Sequence, residues 1–121
     1  MDTISFLVKT IRENLTPDLL RGKYRSGVGV AGHCYVAAET LYHMLGGKAS
    51  GLKPHNGRLG DVQHWWLEDS NGIIIDPTAD QFPNGFPYGL GRGRCFLTAK
   101  PSRRASILME RVVSNWISQK P

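Results

Sequence analysis

Residues 63–76, QHWWLEDSNGIIID, decide the fold. An aromatic-rich run, a DSNG turn and a β-branched run ahead of Pro77 read as two antiparallel strands, 63–68 and 73–76, joined through 69–72. The hairpin carries two side chains with chemistry, His64 and Asp76, and a parity rule decides whether they meet. Side chains paired across antiparallel strands share a face, so His64 and Asp76 share one only if the paired residue numbers sum to an even value. A three-residue loop pairs Asp69 with Ile73 and sets Asp76 opposite Trp66, diagonal to His64. A five-residue loop pairs Leu67 with Ile73 and sets Asp76 opposite His64 itself. Two- and four-residue loops send the two side chains to opposite faces. Gly72 suits the left-handed position of the three-residue loop.

Working outward, residues 33–45 read as a helix, with Val36 or Ala37, Ala38, Leu41, Tyr42 and Leu45 on its buried side and Gly46-Gly47 ending it. Ahead of it, GKYRSGVGVAG (22–32) reads as a Gly-rich loop. Residues 3–14 form another helix, with Ile4, Leu7, Val8, Ile11 and Leu15 at helical spacing and Asp2 or Thr3 as cap. Thr16-Pro17-Asp18 opens a further short helix, with Pro17 at the first helical position. The Gly-, Pro- and Asn-containing stretch 48–60 leaves room for a short strand around Ala49–Lys53. Downstream, FPNGFPYGLGRG (82–93) is a long loop, either a lid or a surface connection. A third strand is predicted around Arg94–Thr98. Pro101-Ser102 opens a last helix with Ala105, Leu108, Met109, Val112, Val113 and Trp116 on one face. Helices followed by an antiparallel sheet and a closing helix make an α+β fold, and 121 residues make one domain, 1–121.

The charge is +5, and the positive excess gathers late, at Arg92, Arg94, Lys100, Arg103, Arg104 and Arg111. It is either a solubilising face or a site for an anionic ligand, for which Arg92, Arg94, Arg103 and Arg104 are the candidates. No zinc-finger, helix-turn-helix or RNP-type signature accompanies it, so no specific nucleic-acid partner is expected. No stretch reaches the roughly 18 apolar residues of a membrane span, and the first residues lack signal-peptide regions. The expected location is the cytoplasm, the host's if a phage encodes the chain. Two cysteines are too few for a disulfide framework and are expected as free thiols. Cys95, in the apolar run RCFLT, reads as a buried core thiol.

Cys34 sits where a thiol is chemically useful. The first turn of a helix favours negative charge through its unpaired N–H groups and dipole, and the same groups serve an oxyanion. A histidine on one strand, steadied by a carboxylate on the next, supplies the base. Each residue alone has a bland reading: a packed cysteine, a half-buried histidine, an aspartate ending a strand. The ordered set is more specific. Metal chemistry is disfavoured, because His33, His43, His55 and His64 form no HExxH or comparable ligand spacing. No cofactor is expected.

GHCYVAAETLYHMLGG (32–47) and HWWLEDSNGIIIDPTADQF (64–82) resemble the small YunG-type family of bacteria and phages. That family shows a Cys opening a helix, a His-aromatic strand and an Asp-x-Thr-x-x-Gln-Phe segment, here Asp76 to Phe82. The layout is also similar to transglutaminase-like and arylamine N-acetyltransferase proteins, whose Cys, His and Asp come in this order. The resemblance implies a compact papain-like fold, with Cys34, His64 and Asp76 at the triad positions. Papain-type enzymes carry an oxyanion-donating Gln a few residues before the Cys; no Gln precedes Gln63 here, and His33 stands where the YunG-type family often has Gln. The candidate oxyanion or substrate-binding residues are therefore His33, Gln63, Trp66 and Gln81, with Trp66 as a substrate wall.

Two functions follow as expectations. One is a thiol-dependent hydrolase or acyltransferase, peptidase- or amidase-like, acting on a peptide, amide or other acyl-type substrate. The other is a binding or sequestering protein on a papain-like scaffold, capturing a host protein or an anionic nucleotide.

Overall fold

The computed structural model describes residues 2–20 and 33–118. The Gly-rich loop expected at 22–32 lies outside the described residues. Three helices, α1 (Thr3–Glu13), α2 (Cys34–Met44) and α3 (Arg103–Ser118), accompany four strands, β1 (Lys53–Leu59), β2 (Val62–Glu68), β3 (Ile74–Ile75) and β4 (Arg92–Gly93). The strands form one antiparallel sheet in the order β3-β2-β1-β4. The α+β expectation holds.

The helices form where their signals lie. Asp2 caps α1 by accepting a 2.7 Å bond from the Ser5 backbone N–H, and Leu7, Thr10 and Ile11 are its buried residues. The short helix at 17–19 is a 3₁₀ turn. Helix α2 is buried on most sides, from Cys34 and Val36 through Leu41, because it lies between the other helices and the sheet. Its end coincides with Gly46 and Gly47, both at positive φ. Within it the fully buried Glu39 accepts from the backbone N–H and hydroxyl of Ser102, 2.8 and 2.7 Å away, tying α2 to the start of α3.

Strand β2 alternates between two environments, as a pleated strand must. Leu67 belongs to the core built by Leu7, Ile11, Val36, Ala37, Leu41, Ala105, Leu108 and Val112, and Trp65 packs against it. His64 and Trp66 point to the opposite face and pack instead against Phe82, Phe86 and Tyr88 of the following loop. The sheet therefore separates a helical core from a smaller aromatic one.

Four expectations need correction. The strand placed at 49–53 is a 3₁₀ turn at Gly47–Ser50 followed by β1, which pairs along its whole length with β2 through the Gly60-Asp61 turn. KPHNGRL lacks the apolar alternation of a strand, yet it occupies a central position. Its Gly57 has a structural reason: a Cβ there would meet the Trp66 ring at 3.1 Å and the Gly91 Cα at 3.2 Å. The strand placed at 94–98 is also absent. Pairing stops at Arg92–Gly93, and beyond it one bond, from the Arg94 N–H to the Pro54 carbonyl at 2.8 Å, extends the contact. From RCFLT only Phe96 packs inward, among Tyr35, Tyr42 and Trp65. Leu97 is 79% exposed and Cys95 is an exposed free thiol, not a core one. Last, Val113 and Trp116 are not buried with Leu108 and Val112. They line, with Phe6, Leu7 and Met44, an apolar groove of about 500 Å³ between α1 and α3.

Candidate active site

The hairpin adopts the three-residue loop. The Asp69 N–H bonds the Ile73 carbonyl at 3.0 Å, and the Asp69 side chain accepts from the N–H groups of Asn71 and Ile73. Gly72 takes φ +77°, the left-handed conformation the loop requires. Leu67 pairs with Ile75 and Glu68 with Ile74, so the next residue, Asp76, falls diagonal to His64 on the same face. The two side chains meet, with His64 Nε2 donating to Asp76 Oδ2 at 2.6 Å. Both are almost wholly enclosed.

Asp76 is held from three directions. Its Oδ1 accepts from the Thr78 N–H at 3.1 Å, and its Oδ2 accepts from the Tyr88 hydroxyl at 2.7 Å as well as from His64. The turn that carries it is anchored to α1 through Arg12. That guanidinium donates to the Pro77 carbonyl at 3.0 Å and grips both Asp80 oxygens at 2.6 Å. This fork keeps the Asp80 carboxyl below its usual range.

The His64 ring lies between Trp66, Phe82 and Phe86, at centroid distances of 5.8, 4.8 and 5.1 Å. A carboxylate only accepts, so Nε2 carries a proton and Nδ1 of the neutral ring is the free lone pair. Nδ1 has no hydrogen-bond partner of ordinary geometry. Cys34 is the other titratable group that acts on this ring. Burial by itself lowers the pKa of His64. The Asp76 bond, the nearby Cys34 sulfur and the charges of both outweigh burial and raise the pKa to about 9.

Cys34 is the first residue of α2, and its N-cap residue His33 makes no side-chain capping bond. Its Sγ lies 3.8 Å from the Gln63 carbonyl. The position follows from the shortness of β3, which pairs with β2 only at Leu67 and Glu68. The edge of β2 around Gln63 and His64 is left to the tip of α2.

Two of the four residues expected to serve an oxyanion or substrate, His33 and Trp66, have their N–H groups committed elsewhere. His33 is buried, and its Nε2 donates to the Thr16 carbonyl at 3.0 Å. Its Nδ1 is then an acceptor, so the neutral ring holds no spare N–H for an oxyanion. Gln63 is an exposed residue on the face opposite His64, and its backbone carbonyl meets Cys34. Trp66 is fully buried, and its indole N–H donates to Glu68 at 3.1 Å, so it is no open substrate wall. Gln81 keeps a buried, unpartnered Oε1. The arginines fall on two elements: Arg92 and Arg94 at the β4 edge, Arg103 and Arg104 at the start of α3. Arg94 is bonded to Asn56, and Arg104 to the Leu19 carbonyl.

Sequence reasoning missed Arg12, and it placed Tyr88 only in the 82–93 loop, not against Asp76. Tyr88 lies twelve residues beyond Asp76, and the only signal was a hydroxyl-bearing aromatic in a Gly- and Pro-rich loop. Arg12 reaches the site from 65 residues away in the chain, and no local pattern announces that. Among the described residues no three His, Cys, Asp or Glu side chains gather as a metal site, and no helix is long and apolar enough to cross a membrane. No family model, no curated protein and no solved structure matches this chain.

Proposed function

We propose that the chain is a thiol-dependent hydrolase or acyltransferase, with Cys34 as nucleophile, His64 as base and acid, and Asp76 orienting His64, on a papain-like scaffold of the kind the YunG-type resemblance implies. The observation that carries the reading is the 2.6 Å bond from His64 Nε2 to Asp76 Oδ2, beside a sulfur that acts on the same ring. That bond commits the imidazole to the tautomer whose free lone pair is Nδ1.

In the proposed reaction Nδ1 takes the Cys34 proton, and the resulting imidazolium stabilises the thiolate. The thiolate adds to the carbonyl carbon of a peptide, amide or other acyl donor. Oxyanion stabilisation falls to backbone N–H groups at the start of α2, since His33 and Trp66 have their N–H groups committed elsewhere. The tetrahedral intermediate collapses to a thioester as His64 returns the proton to the leaving amine. Water, or an acceptor amine, then gives its proton to His64 and resolves the thioester.

Cys95 provides an internal control. A thiol that is merely buried labels more slowly than an exposed one, and Cys34 is buried while Cys95 is exposed. With limiting iodoacetamide at pH 7, mass spectrometry is expected to find Cys34 modified ahead of Cys95, and p-nitrophenyl acetate is expected to leave an acyl group on Cys34. Both effects disappear in His64→Ala. Labelling of Cys95 first, with Cys34 inert to both reagents, removes the activated-nucleophile reading. The sequestering alternative predicts instead that Cys34→Ala leaves the biological effect intact.

A further inference from the structure

We infer that Tyr88 is a positioning residue of this site, sharing Asp76 Oδ2 with His64 and so setting how firmly the carboxylate holds the imidazole in its charged form. The inference rests on the thiol reading for its functional meaning, but its geometry stands apart from it.

One carboxylate oxygen takes two short bonds, 2.6 Å from His64 and 2.7 Å from the Tyr88 hydroxyl. Each donor draws on the same negative charge. The Tyr88 bond therefore stabilises the Asp76 anion and weakens its pull on the His64 proton at the same time. Burial and the bond to Asp76 hold the Tyr88 phenol well above its usual range, so it stays a neutral donor at any physiological pH.

The hydroxyl is placed by packing. Trp66 meets Tyr88 edge-on at 5.0 Å, and Phe86 lies 5.5 Å from it. Gly91 lets this loop lie against the indole, since a Cβ there would stand 2.3 Å from the Trp66 ring. The loop thus delivers its phenol to the side of Asp76 that His64 also uses.

Other groups act on the pair and are untouched by changes at position 88. The Arg12 charge reaches Asp76 from α1, the Cys34 sulfur reaches His64 from α2, and the Thr78 N–H holds Asp76 Oδ1. His55 and Glu68 pair with each other at 3.6 Å on the far side of Trp66.

The test is an NMR titration of the His64 ring in the full chain. Tyr88→Phe keeps the aromatic ring and removes the hydroxyl, and the His64 midpoint is expected to rise by about half a unit to one unit. Replacing Tyr88 with 3-fluorotyrosine, a stronger donor of nearly the same shape, is expected to lower it. The second variant preserves the packing if the first proves unstable. A His64 midpoint unmoved by either replacement, whatever happens to the melting temperature, overturns the inference and leaves Tyr88 as packing only. The thiol reading fails separately, in the wild-type comparison of Cys34 with Cys95, so the two failures are distinguishable.

Discussion

Replacing Asp76 with asparagine removes one charge from the site and almost no volume. In the native protein the carboxylate, with the Cys34 sulfur, carries His64 from 6.5 to about 9 against the opposing effect of burial. Without that charge only the Cys34 sulfur still opposes burial, and the midpoint falls by roughly one to two pH units. Each unit weakens about tenfold the ring's hold on the proton that Cys34 gives up. The tautomer changes as well. The asparagine amide can donate to Nε2, which moves the ring proton to Nδ1, the nitrogen the reaction needs empty. Iodoacetamide labelling of Cys34, measured from pH 6 to 10 against Cys95 in the same tube, is the assay. Asp76→Asn is expected to slow Cys34 about tenfold or more near neutral pH and to leave Cys95 unchanged. A labelling profile identical to wild type would mean that the His64–Asp76 bond does not govern the sulfur, and the reasoning from geometry to reactivity would be wrong.

The raised His64 midpoint also makes stability depend on pH. The folded pKa lies above the unfolded value, so this contribution is fully present below about pH 6.5 and is lost as pH climbs through about 9. Urea unfolding at pH 6 and pH 10 is expected to differ by at most about 3 kcal/mol from this group, and much less in Asp76→Asn. Gly91→Ala forces a methyl to within 2.3 Å of the Trp66 ring. It is expected to cost about 1–3 kcal/mol by overpacking and to disturb the Tyr88–Asp76 bond; unchanged thermal unfolding together with an unchanged His64 titration would show that the loop seats differently.

The sequence by itself determined what depends on neighbours in the chain. The class of the fold, a helix opening near Cys34 and stopping at Gly46-Gly47, a cap for α1 at Asp2 or Thr3, and the odd-loop condition under which His64 meets Asp76 all follow from spacing, turn chemistry and strand parity, and the structure selects Asp2 and the three-residue loop. Tertiary structure decided the rest, because those outcomes depend on what the chain meets far from itself. KPHNGRL is a central strand although its composition argues against one, since β2 and β4 flank it and Trp66 needs the space over Gly57. RCFLT is no strand although its composition argues for one, because Phe96 alone finds a pocket among Tyr35, Tyr42 and Trp65. Arg12 reaches the Asp76 turn from α1, and Tyr88 reaches it from the loop that follows. Local preferences span a few residues, whereas a side chain's partners are chosen by the packing of surfaces that sequence order does not bring together.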